Sequence, residues 1–203
     1  MRRTKEDAAI TREHLLDAAL QCYSTKGYSA TTLDDIARQA GTTRGAISWH
    51  FGNKAELFNT LVRERYKQAA GIFREVYASS GSPLQQFRQL LIRWLTYAEE
   101  NTDFRIVLEL ILLKTEAAPE LAGGMQEKIQ GQRISLEHFA ALIRNGIDAG
   151  EIRPEVNPNT AALAALGMVN GITSQWLLDP TAFSLKSMAR ETIDLFLQGI
   201  VKS

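Results

Sequence analysis

The 203-residue chain has one cysteine and no formal net charge, and each scarcity removes a class of protein. A single cysteine, Cys22, cannot close a disulfide within the chain or supply a cysteine-rich zinc site. The 23 basic residues are balanced by 23 acidic ones, so no overall basicity draws the chain to nucleic acid. Any DNA contact therefore has to come from a local surface.

Long apolar runs and enzyme motifs are also missing. No stretch approaches the ~18 consecutive apolar residues of a membrane-spanning helix, and the charged segment Met1 to Asp7 lacks the apolar core of a signal peptide. We therefore expect a cytoplasmic protein with no membrane partner. The sequence shows no nucleophile–base pair, metal-spaced cluster or phosphate-binding glycine loop, so we expect no cofactor and disfavour an enzyme.

Helical periodicity is present in nearly every segment, and it predicts an all-α protein of about nine helices. A three-helix N-terminal domain is followed by a larger helical domain. The first helix ends at Gly27, and a short second helix begins at Thr32, which forms with Asp35 a pattern typical of a capping box. Gly41 supplies the turn to a third helix. A long fourth helix is predicted to run unbroken to about Ala78.

Three helices in about 45 residues, the second and third short and joined by a glycine turn, match a helix-turn-helix. The outer face of the third helix, Thr43 to Phe51, is then free to enter a major groove. The strings KGYSATTLDDIA (residues 26–37) and GTTRGAISWHFGNKAELF (residues 41–58) resemble the TetR-family DNA-binding domain. The resemblance spans residues 9–69. The string TRGAISWHF looks most like the AcrR-type multidrug-efflux repressors.

This resemblance implies a homodimer that binds a double-stranded DNA operator through the helix-turn-helix at about residues 32–51. Arg44 would bind guanine with its planar fork, and Gly45 would allow a base or the backbone to come close. Threonines near helix N-termini suit phosphates, and three further positions match phosphate contacts of the family. The predicted DNA-binding set is Thr32, Thr42, Thr43, Arg44, Gly45, Ser48, Trp49, His50 and Lys54.

Plainer explanations stand beside several of these assignments. Thr32 and Thr43 also fit simple helix caps, a role compatible with phosphate binding. His50 fits a structural histidine at a helix end, and Trp49 by itself fits the core as well as a contact. At Ser48 the chain departs from the family, which commonly has tyrosine there.

The resemblance further implies that residues 70–203 form a ligand-binding and dimerisation domain. Small and apolar residues follow one stripe of the penultimate helix and recur on the last, a pattern that favours a four-helix dimer interface. The alternative is that both helices belong to the core of the monomer. The predicted interface residues are Ala161, Ala164, Met168, Gly171, Gln175, Met188 and Phe196.

A ligand pocket is predicted among the aromatic side chains of the middle helices. Such residues suit a small apolar or cationic inducer, although an aromatic at helical spacing is often plain core. A carboxylate alone in an apolar run would attract a cation, or else pair with Arg105 one turn away. The predicted lining is Phe87, Trp94, Tyr97, Phe104, Glu109, Phe139 and Trp176.

Together these features predict a sequence-specific repressor of a multidrug-efflux operon. A small-molecule inducer would release it from a pseudo-palindromic operator. A ligand-independent structural or cell-cycle factor, a metabolic regulator and an activator remain as alternatives.

Overall fold

The computed structural model describes residues 5–114 and 122–202. Within these ranges it describes every side chain except those of residues 5–7, 114 and 122–128. The described residues are almost entirely helical, and they contain no strand beyond one antiparallel bridge between Ile152 and Val201. The all-α prediction is therefore confirmed. The helices are α1 (Lys5–Ala30), α2 (Leu33–Gln39), α3 (Arg44–Phe51), α4 (Lys54–Ala69), α5 (Gly71–Ala78), α6 (Pro83–Glu100), α7 (Thr102–Glu109), α8 (Ala122–Asp148), α9 (Pro158–Leu178) and α10 (Leu185–Gln198); α7 continues as a π-helical segment, Leu110–Lys114.

The chain divides into two compact units. The first consists of Met1–Gln68 and Asp103–Met125, and the second of Ala69–Thr102 and Gln126–Ser203. Sequence reasoning placed the domain boundary after residue 69 and assigned everything beyond it to the second domain. In the structure α7 instead packs with the first unit, because its apolar side chains join the core beneath α1. The functional division into residues 9–69 and 70–203 stays a prediction.

The core of the first unit is built by α1 to α4 together with α7. Gly27 has a positive φ of 75° and a non-helical ψ of 172°, so the main helix of α1 ends there, as the sequence predicts. Apolar residues at helical spacing then close around the fully buried ring of Tyr23, which packs against Tyr28 and Phe58. The other large, fully buried members of this core are Leu15, Leu16, Ile36, Ile47, Leu57, Leu61, Val107 and Leu110.

The predicted fourth helix is not continuous. It breaks at Ala70 into α4 and α5, where Ala70 has no side-chain cap and Gly71 begins the next helix. Glycine is the weakest helix former after proline, so an interruption costs little at this point. The break lies next to the change from the first unit to the second, between Gln68 and Ala69. The sequence periodicity predicts one continuous helix here, whereas the structure has two helices that belong to different units.

The second unit packs α5, α6, α8, α9 and α10 around an aromatic cluster. Phe139 of α8 lies edge-on to Phe87 at 5.5 Å and stacks on Phe73 at 6.1 Å. At the surface, Arg88 of α6 donates two short hydrogen bonds, of 2.6 and 2.8 Å, to the carboxylate of Asp194 in α10. This bidentate pair and extensive helix contact fasten α6 to α10.

A buried arginine ties together three helices of the first unit. Arg65 is 2% exposed and contacts Asp17 at 2.6 Å, Glu13 at 2.7 Å and Asp103 at 3.3 Å. These carboxylates come from α1 and from the first turn of α7, and each remains about half exposed to solvent. Burial raises the pKa of Asp17, and this effect outweighs the attraction of Arg65, which lowers the same pKa. The cluster therefore anchors the beginning of α7 on α1 and α4.

Replacing Arg65 by Met keeps an unbranched apolar stem but leaves three neighbouring carboxylates without their cation. We expect the free energy of unfolding to fall by about 2 kcal/mol, less than for a fully buried ion pair because the carboxylates reach water. Urea denaturation measures the change. Arg105→Met is the matched control, since its pairing with Glu109 is loose at 4.0 Å. Equal losses in the two variants would contradict the anchoring role.

Candidate nucleic-acid interface

The turn between α2 and α3 is fixed by local hydrogen bonds. Thr32 caps α2 by accepting from the backbone N–H of Asp35 at 3.1 Å, and the Asp35 carboxylate accepts from the backbone N–H of Thr32 at 3.0 Å. This is the predicted capping box. Gly41 follows α2 with a positive φ of 60°, and Thr43 then caps α3 by accepting from Ala46 N–H at 3.2 Å. The short helices are thus held at a defined turn.

The Asp35 carboxylate is the strongest of these local anchors. Hydrogen bonds, first from the ammonium of Lys26 at 2.8 Å and then from the hydroxyl and backbone of Thr32, hold the pKa of Asp35 well below its ordinary value. The carboxylate is therefore charged across the physiological pH range, and its charge favours the N-terminus of α2.

One face of α3 is docked and the opposite face is open. Ile47 is fully buried and Phe51 is 8% exposed, so these two side chains fasten the helix to the core. On the other side Gly45 and Ser48 are exposed, and the large ring of Trp49 is 75% exposed. The reading of Trp49 as a core residue is wrong.

The side chain of Arg44 is 65% exposed at the N-terminal end of α3. Its guanidinium lies 3.7 Å from the carboxylate of Asp34 on α2, which is equally exposed. An exposed ion pair of this kind contributes about 0–1 kcal/mol. The guanidinium is therefore exposed and only weakly paired, so exchanging Asp34 for another partner costs little.

The structure gives Lys54 a different role from the predicted phosphate contact. Its ammonium donates to the carbonyls of Tyr28 at 3.1 Å, Thr31 at 3.1 Å and Ser29 at 3.4 Å. It also lies 4.3 Å from the centre of the Tyr28 ring. All three N–H donors of an ammonium are used in this arrangement. Lys54 thus has a structural role. Its positive charge remains near the surface, but its N–H donors are used by the three carbonyls.

The remaining predicted contacts are distributed around the turn. Thr32 and Thr43 are exposed and act as helix caps, which is the plainer of the two roles foreseen for them. Thr42 is half-buried between them. The half-buried ring of His50 lies edge-on to Trp49 at 4.5 Å, so each ring limits the movement of the other.

The predicted ligand-binding residues do not form one group. Phe104 is fully buried in the first unit, where it packs edge-on against Tyr66 at 5.4 Å. Glu109 lies in the same unit and forms the alternative pair with Arg105. The predicted lining is therefore divided between the two units, and its role in ligand binding stays a prediction. The second unit keeps Phe87, Trp94, Tyr97, Phe139 and Trp176.

The predicted dimer residues separate in a similar way. Ala161 is 7% exposed and packs inside its own unit, so it is not available to a second copy. Four residues spaced at three or four positions share an open or half-open face of α9: Ala164, Met168, Gly171 and Gln175. On α10 Met188 is 45% exposed and Phe196 is half-buried. The exposed leucines Leu163, Leu178 and Leu195 were missed by sequence reasoning.

Features of catalysis are not evident in the described ranges. No group of three or more histidine, cysteine or carboxylate side chains among residues 5–114 and 122–202 could hold a metal ion. One cleft of about 370 Å³ is an open depression between α1 and α2, lined mainly by hydrophilic residues. Burial raises the pKa of the Cys22 thiol beside it, which makes this cysteine a weak nucleophile.

The fold and the open face of α3 define a helix-turn-helix DNA-binding regulator. Comparison with known proteins makes the class specific: the profile of bacterial regulatory proteins of the tetR family matches residues 15–61, and that of the C-terminal region of MAATS-type transcriptional repressors matches residues 82–201. The chain belongs to the tetR family. Members of this family are transcriptional regulators, not enzymes.

Similar proteins cover nearly the whole chain. It is 32% identical over 198 residues to the HTH-type transcriptional regulator AcrR of Shigella flexneri, covering 97% of this chain and 92% of that one. Among solved structures it resembles NalD, the secondary repressor of the MexAB-OprM multidrug efflux pump in Pseudomonas aeruginosa, with a TM-score of 0.84, 28% identity and coverage of 98% and 100%. SmeT, the repressor of the Stenotrophomonas maltophilia pump SmeDEF, has a TM-score of 0.80, 27% identity and coverage of 95% and 91%.

Replacing Gly45 by Ala tests how closely DNA approaches α3. A Cβ at this position would meet only the Thr43 hydroxyl at 3.7 Å, so the fold accepts it, and alanine is the better helix former. We expect unchanged or higher stability but about tenfold weaker operator binding, because the added methyl lies on the face presented to the groove. Fluorescence anisotropy with labelled operator measures the affinity.

The matched control is Gly131→Ala in α8, where an added Cβ meets nothing within 4 Å. It should leave operator affinity unchanged. Wild-type affinity in both variants would show that Gly45 is not close to DNA.

Proposed function

We propose that this protein is a homodimeric transcriptional repressor that binds a pseudo-palindromic operator through α3 and controls a multidrug-efflux operon. The observation that carries the proposal is the outer face of α3, where Arg44, Gly45, Ser48 and Trp49 are exposed while Ile47 and Phe51 anchor the helix behind them. A regulator of this kind acts on chromosomal DNA, so we place it in the cytoplasm.

Efflux control is inferred from similarity to AcrR, NalD and SmeT, two of which are described as repressors of multidrug efflux pumps. Genome-wide occupancy tests this part. One or a few sites beside a transporter operon are expected, and loss of the protein should raise transcription of that operon. Occupancy spread over many sites would favour a structural factor, and lowered transcription would indicate an activator.

Dimerisation is supported by the open face of α9. This helix is the only one in the described ranges that is apolar and long enough, by length and composition, to cross a membrane, yet only 39% of its most apolar window is buried in the protomer. Small residues along that face allow a second helix to approach closely. A second copy would cover the face and place two α3 helices on half-sites about one DNA turn apart.

Release by a ligand is supported by the path of the chain. The second unit retains the aromatic cluster, and α6 leads through Asn101 directly into α7 of the first unit. Similarity to SmeT, of which a complex with triclosan is known, makes a small apolar molecule a reasonable inducer. A ligand that favours one arrangement of the second unit lowers operator affinity only if the two arrangements bind DNA differently.

Two substitutions at one ion pair test the operator contact. Arg44→Ala should cost about 1–3 kcal/mol of specific binding and relax the preference at one base pair of each half-site. Asp34→Asn should do the opposite and strengthen operator binding several-fold, because it frees Arg44 and removes a negative charge close to phosphates. Affinity measured on operator and on scrambled DNA at several salt concentrations separates the two terms. Unaltered sequence preference in Arg44→Ala would contradict base reading.

A glycine substitution tests the dimer face. Gly171 lies on the open side of α9, where an added Cβ meets nothing within 4 Å in the protomer. Gly171→Glu should leave each protomer folded but prevent close helix contact, so the mass in sedimentation should halve and operator affinity should fall. The matched control, Gly131→Glu on the exposed part of α8, should remain dimeric. A dimer of undiminished stability in Gly171→Glu would move the interface elsewhere, and binding to lipid vesicles would indicate a membrane partner instead.

A further inference from the structure

Two polar atoms inside the second unit make no hydrogen bond to any described residue. They are Oγ1 of Thr173 and Nε1 of Trp176 on α9, and each side chain is only 2% exposed. A threonine hydroxyl within a helix commonly donates to a carbonyl one turn back, and a buried indole N–H usually finds an acceptor. Residues three apart lie on the same face of a helix. The two unsatisfied atoms therefore belong to one small polar spot in an apolar interior.

The polarity of this spot is that of a donor. The indole N–H can only donate, and a hydroxyl can donate or accept. Both are matched by an oxygen acceptor, such as a phenol or carbonyl oxygen. An ammonium or other cation, which only donates or makes no hydrogen bond, cannot satisfy the indole.

The described interior of the second unit also lacks a free anion. The fully buried polar or charged side chains of the described residues are Thr31, Asn59, Arg65 and Thr173, and only the last belongs to this unit. The half-buried carboxylates of the described part of the unit are held by neighbouring donors. These are Glu99 with Ser184, Glu151 with the backbone N–H of Leu84, and Asp194 with Arg88. A buried cation without a counter-ion is costly, so a cationic ligand is disfavoured.

From these observations we infer that the inducer is an uncharged aromatic molecule. Its oxygen accepts a hydrogen bond from the indole N–H of Trp176 and forms a second one with the hydroxyl of Thr173. This inference rests on the proposed function, and it names the ligand class for that site. It also narrows the earlier choice between apolar and cationic inducers to the first.

Access to this spot has a mechanical consequence. Both atoms are enclosed, and α9 packs against α6 and α10. A ligand that reaches them has to separate α9 from a helix that covers it. Since α6 is one of the two neighbours and continues into α7, the same event disturbs the segment that connects the two units. Ligand binding and release from DNA then share one cause.

The test is direct titration of the full-length protein with three probes at neutral pH. The first is triclosan, a phenol; the second is its analogue without the hydroxyl group; the third is tetraphenylphosphonium, an aromatic cation without hydrogen-bonding atoms. We expect triclosan to bind about tenfold more tightly than the analogue and the cation to bind weakest. In Thr173→Val and Trp176→Phe the affinity for triclosan should fall about five- to tenfold, and the preference over the analogue should shrink.

Stability provides a second readout that a purely structural role would not give. Thr173→Val removes an unsatisfied buried hydroxyl at constant shape, so the ligand-free variant should be at least as heat-stable as the wild type while it binds triclosan less well. Thr160→Val, on the exposed start of α9, is the matched control. It should bind triclosan like the wild type.

Operator binding, measured alongside, separates failure of this inference from failure of the proposed function. If triclosan releases the operator but both variants respond like the wild type, the assignment to Trp176 and Thr173 is wrong and the repressor stands. If only the cation releases the operator, the ligand class is wrong and the repressor stands. If no operator is bound, the proposed function fails, while titration still decides the ligand class. Absent triclosan binding, or tighter binding of the cation, would overturn the inference.

Discussion

The position of the helix-turn-helix formed by α2 and α3 depends on the hydrogen bonds of the Lys54 ammonium. The main helix of α1 ends at Gly27, and the carbonyls of Tyr28, Ser29 and Thr31 lie in the short segment that follows. Lys54 donates to all three within 3.4 Å. Because Lys54 is the first residue of α4, one side chain joins the end of α1, the approach to α2 and the start of α4. Both ends of the short α2–α3 segment are thereby anchored to the same point.

Anchoring from behind is what leaves the outer face of α3 available. An eight-residue helix is too short to be stable alone, so its position has to come from the burial of Ile47 and Phe51 and from the cap at Thr43. The side chains that face outward contribute almost nothing to this stability, and Trp49 in particular is left 75% exposed. The residues of the outer face can therefore vary to match an operator without loss of stability. The weak ion pair of Arg44 with Asp34 agrees with this separation of stability from recognition, since it orients the guanidinium without binding it tightly.

Local signals made the first unit predictable from sequence, and distant partners made the rest unpredictable. Caps at Thr32 and Thr43 depend on residues three positions away, and sequence alone located both. Arg65 contacts residues 48 and 52 positions away, so no window reveals its partners. A signal did exist, because Arg65 falls on the buried line Leu57, Leu61, Ala69 of α4. The open face of α9 was visible as small residues, but its exposed leucines depend on what α6 and α10 leave uncovered.

The position of Arg65 bears on the proposed release by a ligand, because this side chain lies where the chain leaves the first unit and where it returns to it. The chain leaves the first unit after Gln68 and returns to it at Asp103, and Arg65 lies three residues before the exit while it contacts the point of return. A shift of α6 passes through Asn101 into a helix whose first turn is held on α1 and α4. Because Arg65 holds the beginning of α7 on α1 and α4, the proposed release by a ligand would pass such a shift on to these two helices. A coupling free energy of 1–3 kcal/mol would change operator affinity by about 5- to 150-fold.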